Sequence, residues 1–198
     1  MSLATAVPLI LTDPGFIFWA PLLSTEPTHA ALASTYDADA WPVAWVNLGA
    51  TEDGSEWTYE TKVEAVNVAE FFDPIRWSTT GRSGSYAFNL ANYTLNNLKR
   101  VLNGGTLATV SGAGVTLSSS YVPPSPGSEV RCMLGWESLD HTQRFVMYQT
   151  INSGSIKSAF KKAPEFAKLP CNFNFEVPTG APNVPFKAYS AGVARLGS

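Results

Sequence analysis

Polar and apolar positions alternate along the first half of residues 55–69, SEWTYETKVEAVNVA. Glu56, Thr58, Glu60, Lys62 and Glu64 fall on one parity, and Trp57, Tyr59, Thr61, Val63 and Ala65 on the other. Successive side chains of a strand point to opposite faces, so this spacing predicts a strand with one acidic, wet face and one aromatic, buried face. Residues 52–73 also hold Glu52, Asp53, Glu70 and Asp73. Seven of the chain's sixteen acids thus stand here against one base, Lys62, and such a face repels phosphate. The solvated face of a half-exposed antiparallel sheet accounts for the pattern as well as a functional surface does. The neighbouring elements decide whether more is meant.

Residues 1–15 carry no charge except Asp13 and end at Asp13-Pro14-Gly15, which predicts an extended arm closed by a turn. Residues 16–21 (FIFWAP) read as a short strand. Residues 22–42 hold Pro27 and many small residues without a sustained period, so they read as a long loop with a helical turn near Ala30. A loop of that length in one domain marks a partner contact or a disordered segment, and we take it as an intersubunit loop. Residues 43–49 (VAWVNLG) read as a strand apolar on both faces that forms a hairpin with the acidic strand through a turn at 51–54. A second hairpin is expected from the alternation around Ile75, Trp77 and Thr79, a turn at Gly81-Arg82-Ser83-Gly84, and Tyr86, Phe88 and Leu90 on one face.

A helix is predicted over about 92–103, capped by Asn92 or Thr94, with Leu95, Leu98, Val101 and Leu102 as its core stripe and Asn97 on its outer face. Lys99 and Arg100 suit its C-terminal dipole, and Asn103-Gly104-Gly105 is a left-handed stop. The rest alternates as strands: 115–122, Val130 to Glu137, the stretch around Phe145 and Met147, then Ile156 and Phe160. Leu169, Cys171, Phe173, Phe175 and Val177 lie opposed by Pro170, Asn172, Asn174 and Glu176. The expected fold is mainly β, a β-sandwich or barrel of antiparallel strands with one flanking helix, as a single domain over 1–198.

Composition changes this picture in two places. Hydrophobic residues make up 45% of the 198, ample for a core, while charged residues are only 15%. So little charge fits a surface buried against other chains, and it equally fits a merely polar one. The net charge is −3 and no basic cluster exceeds the pairs Lys99-Arg100 and Lys161-Lys162, which argues against a face that grips nucleic acid. The N-terminal stretch lacks a basic region and is broken by Pro8, so it reads poorly as a signal peptide, and no apolar run reaches the length of a membrane span. Cys132 and Cys171 fall on the apolar side of alternating stretches and read as reduced core thiols, which fits synthesis inside a cell.

Candidate chemistry is sparse. His29 and His141 have no partner at metal-ligand spacing, so no metal site is predicted. Gly81-Arg82-Ser83-Gly84-Ser85 is not a nucleophile elbow, because its second glycine comes one place early and it joins two strands. Gly112-Ala113-Gly114 lacks the third glycine and following helix of a dinucleotide site, and Asn92-Tyr93-Thr94 reads as a helix cap rather than a glycosylation site. No catalytic residue, cofactor site or metal is expected. Trp19, Trp41, Trp45, Trp57, Trp77 and Trp136 are candidate platforms of a different kind of protein, a Trp-rich β-sandwich that binds carbohydrate or a receptor.

The run from Trp45 to Gly105 resembles the major tail tube proteins of long-tailed (siphovirus-type) bacteriophages, especially those of actinobacterial phages. The matching pieces are Trp45 with Leu48-Gly49, Asp53-Gly54, Asp73-Pro74, Thr79-Thr80-Gly81-Arg82, Phe88 with Leu90-Ala91, and Asn97-Leu98-Lys99 with Leu102-Asn103-Gly104-Gly105. Trp19-Ala20-Pro21, Lys162-Ala163-Pro164, Leu169-Pro170 with Phe173, and Pro178 with Gly180 extend the likeness over most of the chain. The resemblance implies a structural virion protein: a β-sandwich with a flanking helix whose copies close into rings, of six by the resemblance, that stack into the tail tube through which DNA leaves the capsid. It implies self-association, contact with other tail proteins such as the tape measure and tail terminator, and double-stranded DNA in transit without specific binding. It also implies manufacture in the host bacterial cytoplasm, no membrane, no cofactor and no enzymatic activity. Under this reading Glu56, Thr58, Glu60, Lys62 and Glu64 face the lumen. The acidic role is carried only to Glu56, Glu60 and Glu64, and Lys62 interrupts their row.

Overall fold

The computed structural model describes residues 15–28, 41–67, 69–112, 115–139, 141, 143–156, 168–180 and 182–190. The N-terminal arm, the helical turn near Ala30 and Phe160 lie outside them. Ten strands are formed: β1 Gly15–Pro21, β2 Val46–Asn47, β3 Thr51–Val66, β4 Arg76–Leu90, β5 Thr106–Gly112, β6 Val115–Val122, β7 Cys132–Ser138, β8 Gln143–Asn152, β9 Leu169–Phe175 and β10 Phe186–Ser190. Among the described residues one helix, α1 Leu95–Val101, joins them, and every strand pair is antiparallel. The fold is the expected one, mainly β with a flanking helix.

The main sheet runs β2-β1-β7-β8-β9-β4-β3, with β10 added beside β8. Its two ends, β2 and β3, are neighbours in sequence. Across a flat sheet of seven strands they would stand roughly 29 Å apart, whereas the link from Asn47 to Thr51 reaches about 14 Å at full extension. The sheet must therefore curl until its edges approach. The link makes the crossing: Leu48 N–H donates to the Ile17 carbonyl of β1 at 2.9 Å, and the Ala50 carbonyl accepts from Ala91, just past β4, at 2.9 Å. Gly49, at φ +96°, makes the turn between them while its N–H donates to Asn47 Oδ1.

This topology corrects the expected hairpins. The strand read over 43–49 shrinks to β2, which pairs with β1 and not with the acidic strand. β3 and β4 instead form one long hairpin, paired from Thr51↔Leu90 to Val66↔Arg76. Gly81 to Gly84 are not a turn, because β3 offers a partner all along them; the local irregularity is a bulge at Thr80. At Gly84 a side chain would run into the rings of Phe175 and Tyr59, so the glycine is needed for close packing rather than for a bend.

Inside the curl lies the larger core, with Ile17, Leu90, Leu134, Met147, Leu169 and Phe173 all at 1% exposure or less. Leu169, Cys171 and Phe173 of β9 are buried as their alternation predicted, but Val177 beyond the strand is exposed. Cys132 and Cys171 are buried free thiols. Burial pushes them up, to about 11 and about 12, with Thr150 and Trp19 acting the other way on Cys132.

Thr94 caps α1, its Oγ1 accepting from Asn97 N–H, and the Gly104 N–H closes the last turn on the Lys99 carbonyl, with Asn103 at φ +57°. The helix is shorter than the expected 92–103. Val101 is buried, Leu98 packs against the core, and Leu95 and Leu102 are half-buried. Asn97 is not on the outer face. It is buried, donating to the Leu48 and Asn92 carbonyls at 3.0 Å each and accepting from Arg100 Nη1 at 2.9 Å.

A second, smaller core covers the outer face of β1, β7 and β8, where Ala20, Met133, Val146 and Tyr148 meet Trp45. The described ends of the long loop expected over 22–42 make this cover. They therefore pack on their own chain, and residues 29–40 lie outside the described set. Trp41 and Trp45 rest where a side chain at Gly135 would stand. Trp45 Nε1 donates to the Thr25 carbonyl at 2.8 Å, and Arg144 donates to the Thr28 carbonyl at 2.6 Å while stacking on Trp41.

Candidate functional site

The β3–β4 hairpin is longer than the sheet that supports it. β9 pairs with β4 only from Ser85 to Leu90, so among the described residues the stretch beyond Gly84 has no third strand. The outer half of the hairpin, residues 60–83, is thus a two-stranded arm, a structure only marginally stable alone in water.

Pairing sorts the arm's side chains. On one face Glu56 lies opposite Ala87, Thr58 opposite Ser85, Glu60 opposite Ser83, Lys62 opposite Gly81, Glu64 opposite Ser78 and Val66 opposite Arg76. Glu56, Glu60, Lys62 and Glu64 are exposed, Thr58 is half-buried, and Lys62 Nζ lies 3.2 Å from Glu64 Oε1. The structure thus brings all five expected residues onto one face and adds Arg76 to it, leaving three acids against two bases there. The row is acidic by one charge, not uniformly so. Asn172 and Asn174 of β9 extend the face as neutral polar surface.

On the other face Trp57 pairs with Tyr86, Tyr59 with Gly84, Thr61 with Arg82, Val63 with Thr79 and Ala65 with Trp77. This face was expected to be buried, and among the described residues only its root is covered. Trp57 and Tyr59 pack on Phe186 with ring centroids 5.0 and 5.1 Å apart. Farther out Val63 is 49% exposed and Trp77 68%, and the tip adds Phe71, Phe72 and Ile75, all exposed. Alternation reports two environments; it does not say which chain supplies the cover.

The remaining candidates are placed as follows. Trp45 and Trp136 are buried and Trp19 and Trp41 are half-buried, so Trp77 is the most open of the six. His29 lies outside the described residues. His141, at φ +57°, stacks on Phe16, and its Nδ1 lies 2.7 Å from Glu137 Oε1. Among the described residues no three His, Cys, Asp or Glu side chains gather, and no helix is long and apolar enough to cross a membrane.

Two polar clusters, one buried and one half-buried, are not legible in the sequence. Glu137, 3% exposed, takes Arg144 at 3.1 Å, His141, and the Trp41 indole N–H. Glu26 accepts from Tyr148 at 2.7 Å and from Tyr189, with Lys187 at 3.6 Å. Burial and then the contact with Glu26 push both phenols up, Tyr189 to about 12. Both carboxylates fasten the loop after β1 to the sheet. The members of each cluster are scattered along the chain, and only the glycine at 135 amid large residues of β7 hinted that something lies flat on that strand.

Compared with known proteins, the chain matches no family model, and none of the curated proteins matches it.

Proposed function

We propose that this chain is a structural subunit that assembles with copies of itself into rings, and that the rings stack into a tube of the kind that forms the tail of a long-tailed bacteriophage and conducts DNA. The observation that carries the reading is the projecting hairpin, whose outer half leaves Val63, Phe71, Phe72, Ile75 and Trp77 uncovered on a two-stranded arm. An arm of that kind is stabilised by a neighbour. Covering five such side chains is worth about 2 kcal/mol each, or roughly 10 kcal/mol. That is comparable with the estimated 4–15 kcal/mol lost on association. Assembly should accordingly be steep in concentration, favoured once each copy makes several contacts at once. The acidic row on the opposite face supports a lumen lining that a polyanion passes without sticking. In this reading the protein is made in the host cytoplasm, resides in the virion tail, and meets the tape measure and tail terminator proteins and DNA in transit.

Negative-stain microscopy and sedimentation of the purified protein across concentration test it. Rings, six-membered by the resemblance, and tubes at high concentration are expected. A chain that stays monomeric at every concentration and salt, and is held on immobilised sugars through Trp77, would instead be a carbohydrate-binding module.

A further inference from the structure

From Gly104 to Ser128 the chain carries no charge. This run contains β5 and β6, which pair with each other and, among the described residues, with no other strand. The root of the ribbon is fixed to the body: Tyr121 Oη donates to the Gly104 carbonyl at 2.8 Å, and Val130 N–H donates to the Asn103 carbonyl at 2.8 Å. Beyond that root Ala108, Thr109, Val110 and Ser118 to Ser120 are exposed.

The ribbon's two edges differ. In β6 the register steps from Ser118 to Thr116 across consecutive residues of β5, so Leu117 is a bulge that breaks that edge. β5 is regular from Thr106 to Val110. Soluble proteins blunt a regular free edge with lysine, proline, a bulge or a covering element. Among the described residues β5 carries none of these over that span, which points to an edge that is paired when the protein is at work.

At the end of the main sheet, β3 offers a second long edge, regular like that of β5 although it carries Lys62. Its irregularities fall between Thr51 and Ser55 and in its partner β4, leaving Ser55–Val66 regular and, among the described residues, unpaired on its outer side. β2, at the other end of the sheet, is two residues long and offers too little ladder. A ring requires two different surfaces per copy, one to give and one to receive. Among the described residues β10 also has a regular edge beside β8, but its Phe186 is covered by Trp57 and Tyr59. β3 and β5 lie on different elements, and β5 brings no like charge to the row of Glu56, Glu60 and Glu64.

We infer that Thr106–Val110 of one copy adds as a strand to the Ser55–Val66 edge of the next, so that the uncharged ribbon is the giving half of the subunit contact and β3 the receiving half. The inference rests on the assembly reading above. To test it, a benzoylphenylalanine is placed at position 110 of the full chain and irradiated under assembling conditions. The expected product is a covalent dimer whose linked peptide maps to residues 55–66. As a second arm, Ala108→Glu together with Val110→Glu, both at exposed positions, should leave the monomer's melting temperature unchanged. Assembly should then require about ten-fold more protein, because positions 108 and 110 share one parity and so set both carboxylates against either the acidic row or the apolar face of β3, each unfavourable. Rings that form while the label links elsewhere or not at all, or that form at the wild-type concentration with both glutamates present, overturn this pairing and leave the assembly reading intact. A wild-type chain that never assembles overturns both.

Discussion

The carboxamide of Asn97 joins three parts of the chain, because its two N–H groups reach the Leu48 carbonyl of the edge-crossing link and the Asn92 carbonyl, while its oxygen holds Arg100. Asn97→Asp keeps the shape, removes both donors and sets a carboxylate against two carbonyls. With Arg100 as partial compensation, the loss should be about 2–4 kcal/mol. A thermal melt should then fall by roughly 5–15 °C in a chain of this size. Asn96→Asp, one residue away and exposed, should melt with the wild type. Equal melting of the two variants would refute the buried assignment. The thiols give a second check at this scale. Because burial holds Cys132 and Cys171 well above the usual thiol range, the thiolate is scarce until pH passes those raised values. Neither should be alkylated by iodoacetamide near pH 8 in the folded protein, and both should react in denaturant. Rapid modification of the native chain would contradict the packing.

Among the elements, the arm makes the sharpest claim. Val63→Lys with Trp77→Lys changes side chains that touch solvent in the single chain, so circular dichroism and melting should stay as they are while sedimentation loses its assembled species. An unfolded double variant would mean that the arm's apolar face is covered within its own chain. Much of this fold was legible in the sequence, since the alternation of Leu169, Cys171 and Phe173 predicted β9 and Thr94 with Asn103 and Gly104 marked the ends of α1. The failures have a common physical cause. Glycine and serine at 81–84 favour turns by local preference, yet a partner strand overrides that preference. The acidic row was readable from spacing alone. That it stands on an unsupported arm was not, because the arm exists only by virtue of where β9 stops pairing with β4, a contact more than eighty residues away in sequence. The Glu137 and Glu26 clusters were hidden for the same reason.

For the whole molecule, the proposed tube places the acidic row in the channel. Replacing Glu56, Glu60 and Glu64 together by lysine adds three cations per subunit to a face that is already exposed, so the chain should fold and tubes should form. DNA leaving through them should adhere in low salt and move again as salt rises, because counterion release weakens the contact. Glutamine versions, which remove repulsion without adding attraction, should pass DNA at every ionic strength. Assembled tails carrying each version, with genome ejection measured against salt, decide the matter. Lysine tubes that eject at the wild-type rate in low salt would place this face on the outside.

The closure of the curled sheet also sets an order of events in time. β1 pairs along its whole length with β7, so Gly15 waits for Ser138 and the first strand made cannot be placed until most of the chain exists. The β3–β4 and β5–β6 hairpins join strands close in sequence and can form early, as local contacts do. On a ribosome both would be complete while the body between them is still open. Nascent chains on one messenger would then carry the strands proposed to join copies before their cores. The delay from β5 to β7 is therefore a window in which neighbouring chains can join wrongly, and slowing translation between residues 122 and 138 should raise the yield of aggregate at the expense of soluble subunit.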